Sequence, residues 1–283
     1  MPELPEVETL RRDLARRLAG ARIQAVWWSG KPLRMRAPVD VGALRAMTVG
    51  RRVVRLRRMA KYLLIDTDAG GAVVVHLGMS GRLTVVAASA PREPHTHVVW
   101  SLDRGRELRF VDPRRFGQVA TLLPGSAPEV GVEPLGRGLT IARLATLLGA
   151  TRRPIKAFLL DQTRIGGLGN IYVCEALWRA RIHPSEPARN AVVHAAPLRA
   201  AIRDVLRKGI DNRGTTIRDY TDSRGRTGRN QLTLAVYGRE GEPCPRCGSL
   251  VRRQIDSNRS TFFCPGCQIL SGARAFKKAR KPG

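Results

Sequence analysis

Apolar residues recur at helical spacing over residues 7–18 (VETLRRDLARRL), where Val7, Leu10, Leu14 and Leu18 form one stripe with Arg and Asp between them. Gly20 ends that helix. From about residue 21 to 122 the period shortens. ARIQAVWWSG, GRRVVRLRR, KYLLIDTD, GAVVVHLG, GRLTVVAA, HVVWSLD, RELRFVD and GQVATLL are short runs, many alternating or β-branched, separated by turn residues. Their spacing predicts a sandwich or barrel. Residues 123–138 (LPGSAPEVGVEPLGRG) are rich in Pro and Gly and read as a linker. Helical periodicity returns in 142–150, 154–162, 169–182 and 195–210. Residues 212–231 are polar, basic and glycine-rich, which predicts a flexible or disordered loop. A cysteine-paired module over 244–267 and a basic tail follow. The expected fold class is α+β in two domains. Residues 1–125 form a helix plus β-sandwich, 126–138 the linker, 139–238 a helical domain, 239–270 a finger and 271–283 the tail.

Charge changes this picture. Lys+Arg 50 against Asp+Glu 23 gives a net charge of +27 on 283 residues. Such a field attracts polyanions, nucleic acid first and an anionic membrane surface second. No apolar run is long enough to span a bilayer, and the acidic N-terminal stretch has no secretory pattern, so the expectation is a cytoplasmic protein. Aromatic residues are only 5%, too few for a single-strand binder built on stacking.

The most specific motif is Cys244-x-x-Cys247 and Cys264-x-x-Cys267, two knuckles 16 residues apart. This is the spacing of a closed four-thiolate zinc site, structural rather than catalytic. The residues between read as two short strands around Asp256-Ser257-Asn258, with Arg259 near the turn. Cys174, in a helical run, reads as core. Gly166-Gly167-Leu168-Gly169-Asn170 between two helices outlines a helix-turn-helix variant, in which Asn170 either caps the second helix or contacts a phosphate. Glu175, one turn inward, reads as a helix-surface or capping acid.

Three further stretches allow two readings each. In His76-Leu77-Gly78-Met79-Ser80-Gly81, Met79 is core or a protruding wedge. Asp112-Pro113-Arg114-Arg115-Phe116-Gly117 is a basic hairpin or a wedge with charged neighbours, of the kind that props open a duplex. Lys61, ahead of the apolar run KYLLI, is a solvated strand end or a phosphate contact or general acid. The opening Met1-Pro2-Glu3-Leu4-Pro5-Glu6 is a well-made helix start. With Met1 removed it is also a secondary amine, Pro2, flanked by carboxylates and able to attack a carbonyl carbon.

Taken together, MPELPEVET, RRMAKYLL, HLGMSG, DPRRFG, GGLGNIYVCEALW and the four-cysteine finger resemble the formamidopyrimidine-DNA glycosylase (Fpg/Nei) family of bacterial 8-oxoguanine repair enzymes, over nearly the whole chain and in order. The resemblance implies a catalytic sandwich domain, a helix-two-turn-helix domain and a finger holding one Zn2+. It implies a bifunctional glycosylase and abasic-site lyase acting on double-stranded DNA. Pro2 would attack C1′ and form a Schiff base, Glu3 would move the proton that opens the sugar, and Glu6 would hold the N-terminus. Lys61 would assist elimination and bind phosphate, and Arg259 would grip phosphate during the second elimination. Met79, Arg114 and Phe116 would fill the void left by the extruded base, with Arg114 facing the estranged cytosine. His76, Lys156 and Asn170 would contact the DNA backbone, with His95 and Arg152 also among the DNA contacts. The 212–231 segment would lie over the extruded base. A monomer associated with the nucleoid is expected. Gln268-Ile269 departs from the pattern, which has a basic residue where Ile269 stands. Two alternatives remain at this point: an oxidised-pyrimidine (Nei-like) enzyme, and a non-catalytic zinc-finger DNA-binding protein. The second leaves the acid-flanked proline unexplained.

Overall fold

The computed structural model describes residues 2–33, 38–217, 220–223 and 225–271. Met1, and the basic tail from residue 272 on, lie outside the described residues. Contacts divide the chain into two compact units, Met1–Glu129 with Gly209–Gln231, and Val130–Lys208 with Leu232–Gly283.

The first unit is a sandwich of two antiparallel sheets. Its elements are α1 (Leu4–Leu18), β1 (Ile23–Trp28), α2 (Val41–Thr48), β2 (Val53–Met59), β3 (Tyr62–Thr67), β4 (Ala72–His76), β5 (Arg82–Ala87), β6 (Thr96–Leu102), β7 (Arg106–Val111) and β8 (Gln118–Leu122). One sheet runs β1-β6-β7-β5 and the other β2-β3-β4-β8. Between them Leu63, Ile65, Val73, Val75, Trp100, Leu108 and Phe110 form the core, closed at one side by Val7, Leu10, Leu14 and Leu18 of α1. Leu64 and Val74 point to the opposite face of their sheet and pack with Met59, Tyr62 and Leu122. Burial on both faces explains why β3 and β4 read as continuous apolar runs rather than alternating ones.

The helix α1 begins three residues before the apolar stripe, because Pro5 suits a first turn and Glu6 returns to the Glu3 N–H. The helix α2 has no counterpart in the sequence pattern. It is short, and it starts because the Asp40 carboxylate accepts the Ala43 N–H at 2.9 Å. The stretch 209–231, placed by composition in the helical domain, folds with the first unit. Its described residues are not a loose loop, since Glu6 and Asp13 of α1 bind its backbone and side chains.

The second unit carries α3 (Ile141–Gly149), α4 (Ile155–Leu160), α5 (Asn170–Ala180), a 3-10 turn at Ala188–His194, α6 (Ala195–Asp211) as far as Lys208, and the hairpin β9 (Arg252–Asp256) and β10 (Arg259–Phe263). Much of the predicted linker belongs to this unit. Arg203 donates to the Pro134 and Gly136 carbonyls, each at 3.0 Å, and Arg199 to that of Leu139 at 2.5 Å. Ser257 and Asn258 both have positive φ, which makes the tight two-residue turn that fits the twist of a hairpin. Among the described residues no helix is long and apolar enough to cross a membrane.

Candidate active site and metal centre

Pro2, Glu3 and Glu6 are all buried at the start of α1. The Glu6 carboxylate is held from two sides. Oε2 accepts the Glu3 N–H at 2.8 Å and Oε1 accepts the Thr215 N–H at 2.7 Å. Pro2 lies in a small cleft with Leu10, Leu77, Met79, Tyr220 and Thr221 along its walls. The Tyr220 hydroxyl donates to the Glu6 carbonyl at 3.4 Å. Burial, then the Glu6 charge, pushes that phenol far above its ordinary value, so it stays a protonated donor. Gly214, at φ +87°, passes so close that a side chain there would meet Tyr220 and Glu6. Lys61 follows the left-handed Ala60 in the turn from β2 to β3 and is only 6% exposed.

Two loops meet back to back beyond the cleft. A Cβ on Gly78 would stand 2.4 Å from the Phe116 carbonyl carbon, and Gly78 sits at φ +62°, so only glycine permits the approach. The carboxylate of Asp112, fully buried, ties both loops together. It accepts from Ser80 Oγ at 2.7 Å, the Gly117 N–H at 2.7 Å and the Arg114 N–H at 3.3 Å. Met79 is 41% exposed, Arg114 is exposed, and the Arg114 guanidinium lies 4.7 Å from the centre of the Phe116 ring. Met79 and Arg114 protrude while Phe116 is half-buried, so the core reading of Met79 does not hold. His76 is buried against Tyr62, and its Nδ1 accepts the Gly78 N–H at 3.0 Å. His95 is exposed at φ +63°, and its carbonyl accepts the Asp112 N–H at 3.0 Å.

In the second unit, Asn170 is not the cap of α5; Gly169 holds that position. The Asn170 amide instead donates to the Ser260 carbonyl on β10 at 2.8 Å, and its Oδ1 is buried with no partner among the described residues. Lys156 is only 2% exposed. Its ammonium donates to the Thr261 hydroxyl and the Ser260 carbonyl, and burial lowers its pKa. Lys156 and Arg259 line one cavity of about 710 Å3 together with Arg153. Arg152 is exposed and does not line it. The glycine loop ahead of α5 is shaped by Gln162, whose amide donates to the Leu160 and Leu168 carbonyls and accepts the Gly167 N–H. Glu175 is neither a surface nor a capping acid. It is buried and accepts the backbone N–H groups of Ala235, Val236 and Tyr237, each at 2.9 Å. An acid inside an otherwise apolar helix was the signal for this role.

The four cysteine sulfurs of Cys244, Cys247, Cys264 and Cys267 all lie within 4.8 Å of one another. Cys244 and Cys267 are 3.9 Å apart, and Cys247 and Cys264 3.4 Å. Tetrahedral zinc thiolates at ~2.3 Å from the metal would place sulfurs about 3.8 Å apart. The donor set therefore fits one Zn2+ with no open position. Trp178 Nε1–H donates to Cys244 Sγ at 3.4 Å and the Arg246 N–H to the same sulfur at 3.5 Å, as suits a thiolate. Gln268 is buried just past the last cysteine, accepting the Cys264 N–H at 2.9 Å and donating to the Ile182 carbonyl at 2.8 Å. Cys174 is core, as expected, packed in the cluster behind the finger.

Family models described as the formamidopyrimidine-DNA glycosylase N-terminal domain, the H2TH domain of the same enzyme and a zinc finger found in FPG and IleRS match residues 1–119, 130–221 and 241–269. The formamidopyrimidine-DNA glycosylase of Herpetosiphon aurantiacus is 45% identical over 276 residues, covering 95% of this chain and 100% of that protein. The crystal structure of MutM (FPG) from Thermus thermophilus superposes with a TM-score of 0.84 at 38% identity, covering 95% of this chain and 100% of that one. Wild-type Lactococcus lactis Fpg, solved with N7-benzyl-Fapy-dG DNA, gives 0.87 at 33% identity over the same shares. The chain belongs to the formamidopyrimidine-DNA glycosylase family.

Proposed function

We propose that this chain excises oxidised purines from double-stranded DNA and cuts the strand at the resulting abasic site, with Pro2 as the nucleophile. The carrying observation is Pro2 itself, buried between Glu3 and the cleft formed with Met79 and Tyr220. Relatives add the substrate class: Lactococcus lactis Fpg has been solved with N7-benzyl-Fapy-dG DNA and with abasic-site DNA.

In this reading Met1 is removed and the Pro2 nitrogen attacks C1′. The bond from C1′ to the base breaks, and the base leaves with a proton. Glu3 supplies the proton that O4′ takes as the C1′–O4′ bond breaks and the sugar ring opens. The product is an iminium ion, which draws electrons from the adjacent carbon. Loss of that carbon's proton then expels the 3′ phosphate, and a second elimination expels the 5′ phosphate. Glu6 orients the amine through the Glu3 backbone. Lys61 serves elimination and binds phosphate, and Arg259 grips phosphate for the second step.

Reaching C1′ requires turning the nucleotide out of the stack at a cost of a few kcal/mol. Met79, Arg114 and Phe116 offset it by filling the vacated space. Arg114 meets the opposite base. His76, His95, Arg152, Lys156 and Asn170 contact the DNA backbone. Zinc, when bound, only rigidifies the finger hairpin that carries Arg259. We place the chain as a monomer in the cytoplasm, associated with the nucleoid through its charge.

Borohydride trapping on an 8-oxoguanine:cytosine duplex, with the mass of the mature N-terminus measured on the same preparation, tests this. A covalent adduct is expected for protein lacking Met1 and none for Pro2→Gly. Absence of an adduct with Met1 removed, or an unchanged adduct in Pro2→Gly, overturns the mechanism.

A further inference from the structure

Arg213 stands at the exit of α6 in a left-handed conformation, φ +61°, which non-glycine residues rarely adopt. Such a backbone persists where surrounding contacts over-determine it. The contacts here are two buried acids. Arg213 Nη2 donates to Asp13 Oδ2 at 2.5 Å and to Asp222 Oδ2 at 2.6 Å. Asp13, on α1, is 9% exposed and Asp222 only 2%. Ser223 Oγ approaches the same Asp13 oxygen at 3.4 Å. Asp222 also binds Arg226 through both side chain and backbone, so the chain doubles back on itself there. Two carboxylates thus meet two guanidinium groups, and one nitrogen joins the helix that begins at the nucleophile to the residue after Thr221.

We propose that Arg213 is a positioning residue for the oxidised base: by bridging Asp13 and Asp222 it fixes Tyr220 and Thr221 as a wall of the Pro2 cleft. The inference rests on the function proposed above. It goes beyond that function in assigning selectivity to three residues that touch neither the sugar nor the phosphates. A wall matters where a base must be held while its bond to C1′ breaks. At a pre-formed abasic site there is no base to hold, and the amine chemistry proceeds without it. Because both acids take the same nitrogen, neutralising either one breaks the bridge between them, while Arg226 still holds Asp222.

The test uses the full chain with Asp13→Asn, Asp222→Asn and the double variant. Single-turnover excision of 8-oxoguanine is expected to fall about tenfold in each single variant, about 1.4 kcal/mol of lost transition-state binding. Cleavage of an abasic-site duplex by the same preparation is expected to stay within about twofold of the parent, which also shows that the protein is folded. The double variant is expected to lose little more than either single one, the signature of a shared partner. Backbone amides of 220–223 are expected to exchange faster in all three. Equal losses on both substrates, additive losses, or unchanged exchange at 220–223 overturn the proposal. A parent that exchanges slowly there but excises no 8-oxoguanine overturns the proposed function while leaving the ion-pair bridge standing.

Discussion

Glu6 and Thr215 are joined by a 2.7 Å hydrogen bond across 209 residues of sequence, from the Thr215 N–H to Glu6 Oε1. The other oxygen of the same carboxylate accepts the Glu3 N–H. One buried acid therefore aligns the first turn of α1 and the segment that carries Tyr220. Glu6→Gln keeps the shape but turns an NH2 group toward one of the two N–H donors. The expected cost is about 1–3 kcal/mol in urea denaturation, the range for a buried donor left unmatched. The rate of borohydride trapping should fall with it, since the amine is no longer held. A variant as stable as the parent would show that the carboxylate does not clamp these groups in solution.

Asp112 is the corresponding tie for the wedge loops. Asp112→Ala strips the acceptor from Ser80, Arg114 and Gly117 at once. The stability loss should be about 1–3 kcal/mol, because the buried Gly117 N–H loses its acceptor, while the Ser80 and Arg114 donors are half-buried and can turn to water. Loosened wedges matter only where a base has to be displaced from a duplex. Excision from duplex DNA should therefore suffer more than cleavage of an abasic site in a single strand. Equal losses on the two substrates would separate Asp112 from base displacement.

What was legible in the sequence follows the range of the forces involved. The eight strands of the sandwich, α1 and the finger hairpin show in local period and turn residues, and the cysteine tetrad in its spacing. Asn170 could not be settled locally, because its partner is the Ser260 carbonyl, ninety residues on. The segment 212–231 looked unstructured because its own composition cannot build a core. Its order comes from Glu6 and Asp13, which composition does not connect to it. The helix α2 escaped because eight residues give too little periodicity, although Asp40 was a visible cap.

Acid should weaken the first unit in two separate windows. Burial pushes His97 below its ordinary value of 6.5, where it sits 3.1 Å from the Asp112 carbonyl and 3.0 Å from Ser29 Oγ. The unfolded chain then binds the proton more readily, so stability is lost as pH falls below about 6.5. Burial alone would raise the Glu8 carboxyl, but hydrogen bonds from Arg11 and Arg12 and the charge of Arg58 outweigh it and hold it below 4.5. Its contribution is complete above that value and drains as pH falls through the lowered one. Denaturation midpoints measured from pH 8 to 3 should show both declines. His97→Gln should remove the upper one, and Glu8→Gln should shrink the lower, which Asp66, held down by Arg57 and Arg55, shares. A single decline unaffected by His97→Gln would refute the assignment.

Trp178 provides a direct view of the metal. Its indole N–H reaches the Cys244 sulfur, and the Arg246 guanidinium stacks 4.1 Å from its ring while donating to the Trp178 carbonyl. Removing zinc leaves four close sulfurs without their shared cation, and the finger should lose its order, since ligand binding and folding are one process in such modules. Chelation should therefore shift Trp178 emission and abolish binding to damaged duplex, while the sandwich keeps its own far-UV signal. Trp178→Phe keeps the packing and deletes the donor to sulfur. Loss of such an outer hydrogen bond typically costs about 10–100-fold in metal affinity. Zinc release to a chromogenic chelator should accelerate by about that factor, before any change in the intact protein's affinity for DNA. Normal DNA binding by zinc-free protein would contradict the finger's role, and unchanged zinc release from Trp178→Phe would contradict that of the indole.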